Sequence, residues 1–185
     1  MAALETLLPI EVPPSSAGAP LPHVFADEGK LLITYVANRP EPSFDGTNPR
    51  SVSPATDNQP IAILTADPYL ALQFGPPNDE AINGHRLYGL GLKPYSAFEV
   101  FNSSWIASLE RANRVHPSHT PELFSGYRHF ILTFQDSTLE FIAKSFSTSV
   151  REGAVLSALM ESVGHSVPAH RVKPTGFFTR LLRRG

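Results

Sequence analysis

The sequence contains no cysteine, which excludes several classes of protein at once. Without thiols there is no disulfide-stapled secreted domain, iron–sulfur cluster, thiolate zinc site or cysteine nucleophile. Charged residues make up only 17% of the 185 residues, and no apolar run reaches the roughly 18–20 residues that a membrane-spanning helix needs. Hydrophobic residues reach 42%, so the chain can bury a core and is not disordered throughout.

The short motifs of several common catalysts are also missing. The sequence has no GxxxxGK[ST] phosphate loop, no GxSxG nucleophile elbow and no HExxH metal helix. Gly89 and Gly91 resemble the start of a dinucleotide fingerprint, but the third glycine is absent and Pro94 follows. We interpret the pair as a turn and expect no cofactor.

Proline, in contrast, is abundant and unevenly placed. Thirteen of the 18 prolines precede residue 78. Proline lacks an N–H and clashes with the preceding helical turn, so a long helix is excluded there. The first 77 residues are therefore predicted to be strand, turn and coil.

Composition also predicts the organisation of the chain. Residues 1–21 are predicted to be a flexible Pro-rich arm, and residues 22–165 a single α+β domain. Within that domain, residues 39–59 are rich in Pro, Ser and Asn and are predicted to be a mobile loop. Residues 166–185 are predicted to be a basic amphipathic tail.

Hydrophobic periodicity predicts the elements of the domain. Strand-like stretches show no regular alternation with helices, which favours a mainly antiparallel sheet with two or three helices on one face. The clearest element is a β-hairpin formed by residues 128–135 and 138–147. Further strands are expected at 23–26, 31–37, 61–65, 69–74 and 97–101, and helices near 104–114, 120–126 and 150–163.

The distribution of charge bears on partners and location. The last twenty residues carry five basic residues and no acid, whereas residues 93–165 hold six basic and seven acidic residues. A near-neutral body argues against duplex nucleic acid as a partner of the folded body, because phosphate neutralisation supplies much of that affinity. The first basic side chain is Lys30, which is not typical of a secretory signal or a transit peptide, so we expect a soluble cytoplasmic protein.

One candidate catalytic group lies in a glycine-punctuated loop and consists of Asp79, Glu80 and His85. Two carboxylates and an imidazole can share a proton or position a polar ligand. The alternative is structural: Asn78 or Asp79 caps a short helix after Pro77 and the other side chains are solvated.

A candidate metal site consists of His116, His119 and Glu122, since two imidazoles and a carboxylate are plausible zinc or iron ligands. Pro117 argues against it, because the residue before a proline is pushed out of helical geometry and the two histidines need not share a face. The alternative is a loop that leads into a helix.

The hairpin supplies a third polar group. If Phe130 shares one face of its strand with its alternate neighbours, His129 lies on the other face, within reach of a cross-strand partner near Glu140. Asp136 and Ser137 fit an Asx turn, so a structural role is expected for Asp136.

The tail supplies a candidate binding segment. Its apolar residues fall at helical spacing and its arginines fill the positions between them, as in docking peptides. The alternative is that the apolar face folds back on its own domain. The candidate partner-binding residues are Phe177, Phe178, Arg180, Leu181, Arg183 and Arg184.

The function predicted from the sequence is that of a non-enzymatic binding or accessory protein. It would contact a protein partner through its sheet, its loops and the basic tail, because catalytic motifs are missing and the tail is amphipathic. The alternative is a small metal-assisted hydrolase or isomerase that uses a cluster of His, Asp and Glu side chains.

Overall fold

The computed structural model describes residues 4–39 and 51–166. Within these ranges the chain forms nine strands and three α-helices. The strands are β1 (Thr6–Pro9), β2 (His23–Ala26), β3 (Leu31–Val36), β4 (Gln59–Ala66), β5 (Tyr69–Gly75), β6 (Ala97–Phe101), β7 (Arg128–Thr133), β8 (Thr138–Ala143) and β9 (Ser147–Gly153). The helices are α1 (Ser104–Asn113), α2 (Glu122–Ser125) and α3 (Val155–Ser166).

The strands form two antiparallel sheets. One has five strands in the order β1-β6-β7-β8-β5, and the other has four in the order β2-β3-β4-β9. The predicted hairpin is confirmed as β7 and β8, whose register pairs Phe130 with Phe141. The strands predicted at 23–26 and 31–37 are confirmed as β2 and β3, which pair with each other.

The main hydrophobic core lies between the two sheets. Alternate residues of β3 and β4 pack against alternate residues of β7 and β8. The ring of Phe141 lies 5.1 Å from that of Phe130 and 5.7 Å from that of Phe146. Tyr35 of β3 contacts Phe134 across the core, with 5.3 Å between ring centroids. The two sheets therefore pack face to face as a sandwich.

The helices lie on the outside of both sheets. In α3, Val155 and Ala158 pack on Val36 and Ile61 of the four-stranded sheet. On the outer face of the five-stranded sheet lie two short 3-10 turns, at Ile82–Gly84 and Tyr88–Leu90, and Trp105 of α1 contacts His129 there. The predicted mainly antiparallel α+β class is confirmed, but the strands form two sheets, and the helices are divided between two faces instead of lying on one.

The predicted flexible arm of residues 1–21 contains a strand that its composition did not predict. Thr6–Pro9 is β1 and pairs along its whole length with β6. Leu7 packs on the outer face of the five-stranded sheet, and Ile10 and Val12 pack against the main core. These few apolar residues anchor the segment even though prolines and small residues dominate its composition.

The prediction of a helix from residue 150 is also wrong at its start. Residues 150–153 belong to β9, which pairs with β4, and α3 begins at Val155. Gly153 has a φ of +151°, a conformation that side chains rarely permit, and it lets the chain turn from the strand into the helix.

Two predicted segments fall partly or wholly outside the described residues. For the predicted loop 39–59, residues 40–50 lie outside them. The end of this loop is tied to α3, because the backbone N–H of Leu156 donates to the carbonyl of Pro54 at 3.2 Å. All the candidate binding residues of the tail lie outside the described residues.

Within the described part of the chain, no helix combines the length and the apolar character needed to cross a membrane.

Candidate functional site

The largest group of buried polar side chains lies on the outer face of the five-stranded sheet. Strand alternation turns His129 of β7 and Glu140 of β8 to this face, opposite to Phe130 and Phe141. The Nε2 atom of His129 lies 2.9 Å from Oε2 of Glu140, so the cross-strand pair expected from the sequence is confirmed. His129 is completely buried, and Glu140 is nearly so.

Glu140 receives two further donors from the loop over the sheet. His85 Nε2 lies 3.2 Å from Oε1, and Arg86 Nη2 lies 2.8 Å from Oε2. The 3-10 turn at Ile82–Gly84 brings these two neighbours to the sheet, because buried Ile82 anchors the loop. Glu140 is thus a buried carboxylate with three donors from three separate side chains.

The N-terminus of α1 completes this group. Ser103 caps α1, its Oγ accepting from the N–H of Ile106 at 3.2 Å, and the same Oγ lies 2.8 Å from Nδ1 of His129. Arg86 Nη1 also donates to Glu5 at 2.7 Å, and the other carboxylate oxygen of Glu5 accepts from the N–H of Ser104 at 2.8 Å. We call these residues the Glu140 cluster: Glu5, His85, Arg86, Ser103, Ser104, His129 and Glu140.

The hydrogen bonds orient both histidine rings. The N–H of Leu87 donates to Nδ1 of His85 at 3.2 Å, so Nε2 of this ring carries the hydrogen that Glu140 accepts. Nε2 of His129 donates to the carboxylate, and its Nδ1 shares a hydrogen bond with the hydroxyl of Ser103. Every nitrogen of the two rings therefore has a hydrogen-bond partner.

The surroundings shift the pKa of the carboxylate strongly. Burial acts to raise the pKa of Glu140, but the hydrogen bonds from His129 and His85 and the charge of Arg86 outweigh it. The pKa therefore lies well below its ordinary value of 4.5. Glu140 is ionised at any physiological pH, so it stabilises the fold as a charge.

The order hydroxyl, imidazole, carboxylate in Ser103, His129 and Glu140 is that of a serine nucleophile with its base. Here the hydroxyl oxygen caps a helix and the imidazole has no exposed surface. Five cavities of the described residues are lined by other side chains. The burial of the imidazole and the capping bond of the hydroxyl support a structural role for the arrangement.

The predicted catalytic residues Asp79, Glu80 and His85 each have a different environment. His85 binds Glu140, as described above. Asp79 accepts a hydrogen bond from the hydroxyl of Tyr95 at 2.7 Å; burial and this bond raise the pKa of Tyr95 to about 12. Glu80 is exposed. The structure therefore does not bring these three side chains together in one site.

The predicted metal ligands do not converge either. His119 Nε2 lies 2.9 Å from Oε1 of Glu110, and His116 uses Nδ1 to accept the N–H of Ser118 at 3.1 Å. Glu122 is exposed at the start of α2. In residues 4–39 and 51–166 there is no group of three or more His, Asp or Glu side chains that could hold a metal ion.

His119 instead positions two helices beside each other. Its bond to Glu110 of α1 and its ring contact with Phe124 of α2, 6.2 Å between centroids, hold the connection between the helices. Arg114 binds the same Glu110 one helical turn further along α1, at 2.9 Å. The charge of Glu110 is therefore compensated within the protein.

An open groove of about 550 Å³ lies between these helices. Asn113 is its polar lining residue, and Leu123 has 55% of its surface exposed. One charged side chain close to the groove is Lys144, whose Nζ lies 5.7 Å from the ring centroid of Tyr127. We call this feature the α1–α2 groove; its apolar and aromatic lining residues are Leu70, Leu109, Ala112, Leu123, Phe124 and Tyr127.

The described chain thus belongs to the class of two-sheet antiparallel α+β sandwiches, with a buried polar cluster on one outer face and an apolar groove between two helices. Comparison with protein-family models, with curated proteins and with solved structures gives no match.

Sequence reasoning did not identify the α1–α2 groove. Its residues come from β5, α1, α2 and the segment before β7, and only folding brings them together. One signal was present: Leu123, Phe124 and Tyr127 lie within five residues, and a helix of four residues cannot bury them all.

Proposed function

We propose that this protein is a non-enzymatic binding protein that receives an amphipathic, acidic helix of a partner protein in the α1–α2 groove. The observation that carries the proposal is the groove itself. Its walls are two helices lined by leucine and aromatic side chains, one of them more than half exposed. A third helix packs between two others by inserting its side chains into such a groove.

The charge beside the groove supports an acidic partner. Lys144 contacts the ring of Tyr127, and within the described residues its ammonium group has no carboxylate partner. The nearby acid Glu110 is already bound by Arg114 and His119. Glu122 precedes the lining residues of α2, and helical spacing turns it to another side of the helix. A partner carboxylate beside Lys144 would therefore find a free cation.

The same charge argues against this chain's own tail as the occupant. The tail has the required apolar residues, but it brings Arg180, Arg183 and Arg184 and no acid. These arginines would face Lys144 and gain no attraction there. The tail is better suited to attract the acidic partner from outside the groove.

The sequence-based alternative, a metal-assisted hydrolase or isomerase, has no comparable support. Its predicted residues have separate partners, and the described residues provide no group that could hold a metal. No second function is therefore proposed.

Replacing Leu123 by serine is expected to weaken binding of an acidic helix about tenfold or more, because burying a leucine contributes roughly 1.5–3 kcal/mol. The probe is a fluorescein-labelled designed helix with leucines at positions i, i+3, i+4 and i+7 and glutamates on its polar face. A second probe keeps the leucines and carries lysines. Fluorescence anisotropy measures both affinities.

The matched control is Leu156→Ser on α3, since Leu156 is similarly exposed, at 44%, but lies away from the groove. Leu156→Ser is expected to bind like the wild type, and Lys144→Glu to reverse the preference between the two probes. Equal binding of both probes, or equal loss in both leucine variants, would refute the proposal.

Deletion of residues 174–185 tests the role of the tail, because a fall and a rise in the affinity for the acidic helix have different explanations. If the arginines attract the acidic partner, deletion lowers the affinity of the acidic helix several-fold at low salt and less at high salt. If the tail instead occupies the groove, deletion raises that affinity. An unchanged affinity at both salt concentrations removes the tail from the mechanism.

A further inference from the structure

The outer edge of β9 is a second surface to which the described residues supply no partner. The two sheets end in four strands, β1 and β5 in one sheet and β2 and β9 in the other. Edge strands are normally protected from pairing with another chain by shortness, a bulge or a proline. The strands β1 and β2 have four residues each, and β5 has a bulge between Tyr69 and Ala71. In contrast, β9 has seven residues without a proline, and all of them pair with β4 in one unbroken register.

Backbone alternation decides which residues of β9 point to this edge. The N–H of Ala37, just after β3, donates to the carbonyl of Pro60 at 2.7 Å, so Pro60 directs its backbone to β3. In an antiparallel sheet the next residue faces the opposite neighbour, so Ile61 of β4 bonds with its partner Arg151 of β9. The residues between those that face β4 direct their backbone N–H and C=O groups to the outer edge; they are Thr148, Val150 and Glu152.

The outer edge is exposed as well as unpaired. Within the described residues, the three N–H and three C=O groups of these positions have no backbone partner, and all three residues are exposed. The side chain of Val150 lies opposite Ala62 of the main core and points toward the space between the sheets. It is nevertheless 53% exposed, because no strand of the described residues lies beside it. A further strand would pair the backbone groups and cover this valine.

The sequence of β9 is self-complementary when two copies pair antiparallel about Val150. A two-fold axis at this position places Val150 opposite the same residue of the second copy. Thr148 then lies opposite Glu152, whose carboxylate can accept from the hydroxyl. Ser149 lies opposite Arg151, whose guanidinium can donate to the hydroxyl. Each charged side chain therefore meets a hydroxyl group, and like charges are not placed opposite each other.

The backbone groups also select this register. In an antiparallel pair, the residues that point to the edge must face each other, so each copy donates three hydrogen bonds and accepts three. A shift of the axis by one residue toward the C-terminus places Arg151 opposite itself, and like charges directly opposite are destabilising. A shift by one residue toward the N-terminus places Glu152 opposite Phe146, which lies outside the strand. Only the axis at Val150 pairs β9 along its whole length.

We propose that two copies of this chain form a symmetric dimer in which β9 pairs antiparallel with β9 of the second copy. The two four-stranded sheets then join into one continuous sheet. The interface is narrow, so the dimer is expected to be weak and to form as the concentration rises. It is separate from the α1–α2 groove, which includes Leu70 of the other sheet.

Sedimentation velocity of the full chain, from micromolar to millimolar concentration, tests the dimer. The wild type is expected to shift from the mass of one chain toward that of two as the concentration rises. Val150→Lys and Val150→Glu each place like charges opposite each other, and each is expected to weaken dimerisation about tenfold. An equimolar mixture places lysine opposite glutamate and is expected to dimerise about tenfold more strongly than either variant alone.

A control and a backbone variant accompany this pair. Val115→Lys makes the same substitution at a valine that is 91% exposed between α1 and α2, and it is expected to dimerise like the wild type. Val150→Pro removes an N–H that the folded chain does not use, and with it one donor of each copy at the interface. It is expected to weaken dimerisation about tenfold. Circular dichroism checks that each variant is folded.

Three results would overturn the inference. The first is a wild type that sediments as one chain at every concentration; protection of the Val150 amide from hydrogen exchange would then assign the edge to a segment of the same chain. The second is a mixture of Val150→Lys and Val150→Glu that dimerises no better than its components. The third is dimerisation of Val150→Lys as strong as that of the wild type, which would place the contact on another surface.

Discussion

Replacing Glu140 by glutamine is expected to destabilise the folded protein by about 3–5 kcal/mol at neutral pH, although the two side chains have the same shape. The carboxylate accepts from His85, Arg86 and His129. The amide has one acceptor oxygen, and its NH₂ group faces donors, so at least one buried donor loses its partner. Arg86 also loses its buried counter-charge.

Urea unfolding followed by the fluorescence of Trp105 measures this loss. Trp105 is the only tryptophan of the chain, and its ring lies edge-on to His129 at 5.1 Å. The matched control is Glu152→Gln, which removes an exposed carboxylate paired with Arg39. Exposed pairs contribute roughly 0–1 kcal/mol, so the control is expected to unfold nearly like the wild type. Similar losses in the two variants would contradict a special role for the Glu140 cluster.

The pH dependence of the free energy of unfolding distinguishes the effect of the charge of Glu140 from the effect of its side-chain shape. Its pKa is lower in the folded than in the unfolded protein, so the stabilisation is complete above the unfolded value of 4.5 and is lost as the pH falls below it. The difference in the free energy of unfolding between the wild type and Glu140→Gln is therefore expected to shrink below about pH 4.5. A difference that stays constant down to about pH 3 would show that the charge is not responsible.

Replacing Phe141 by alanine is expected to cost about 3–5 kcal/mol as well, for a different reason. Phe141 is the neighbour of Glu140 on β8 and faces the core between the sheets, where it contacts Phe130 and Phe146. The substitution leaves a cavity that the two sheets cannot close, and no titrating group is removed. Its cost is therefore expected to be the same at pH 7 and at about pH 4.

Trp105 fluorescence during urea unfolding also measures this variant, and Phe141→Leu provides a milder version that keeps most of the buried surface. The loss is expected to be larger for alanine than for leucine. A cost below about 1 kcal/mol for Phe141→Ala would contradict a core shared by the two sheets.

The sequence predicted those elements whose pattern is local. Alternation in β7 and β8 predicts the hairpin and places His129 and Glu140 on one face, which the structure confirms with a 2.9 Å contact. The helix predicted near 104–114 is confirmed as α1, and the side chain of Ser103 caps its start. These predictions succeed because a two-residue period and a capping side chain depend on neighbours in the chain.

Contacts between distant segments were not predictable in the same way. The strands β4 and β5 are separated by only two residues, yet they belong to different sheets, because their long-range partners are β3 and β9 in one case and β8 in the other. Arg86 reaches Glu140 only because the intervening loop folds over the sheet. The partners of the candidate histidines depend on tertiary structure in the same way: His85 pairs with buried Glu140, and His119 pairs with Glu110.

The N-terminal segment shows how average composition can mislead. Prolines and small residues dominate residues 1–21, which predicted flexibility. Leu7, Ile10 and Val12 nevertheless pack on two different hydrophobic clusters, and Glu5 binds Arg86. A few well-placed contacts outweigh an average over the segment.

The proposed partner site is tested most directly by mapping where an acidic helix binds. The acidic designed helix is titrated into uniformly ¹⁵N-labelled protein, and the backbone amide shifts are followed by NMR. The largest shifts are expected in α1, in α2 and near Tyr127, with Lys144 among them. Shifts centred on another surface, or no shifts with the acidic helix at millimolar concentration, would contradict a binding function for the α1–α2 groove.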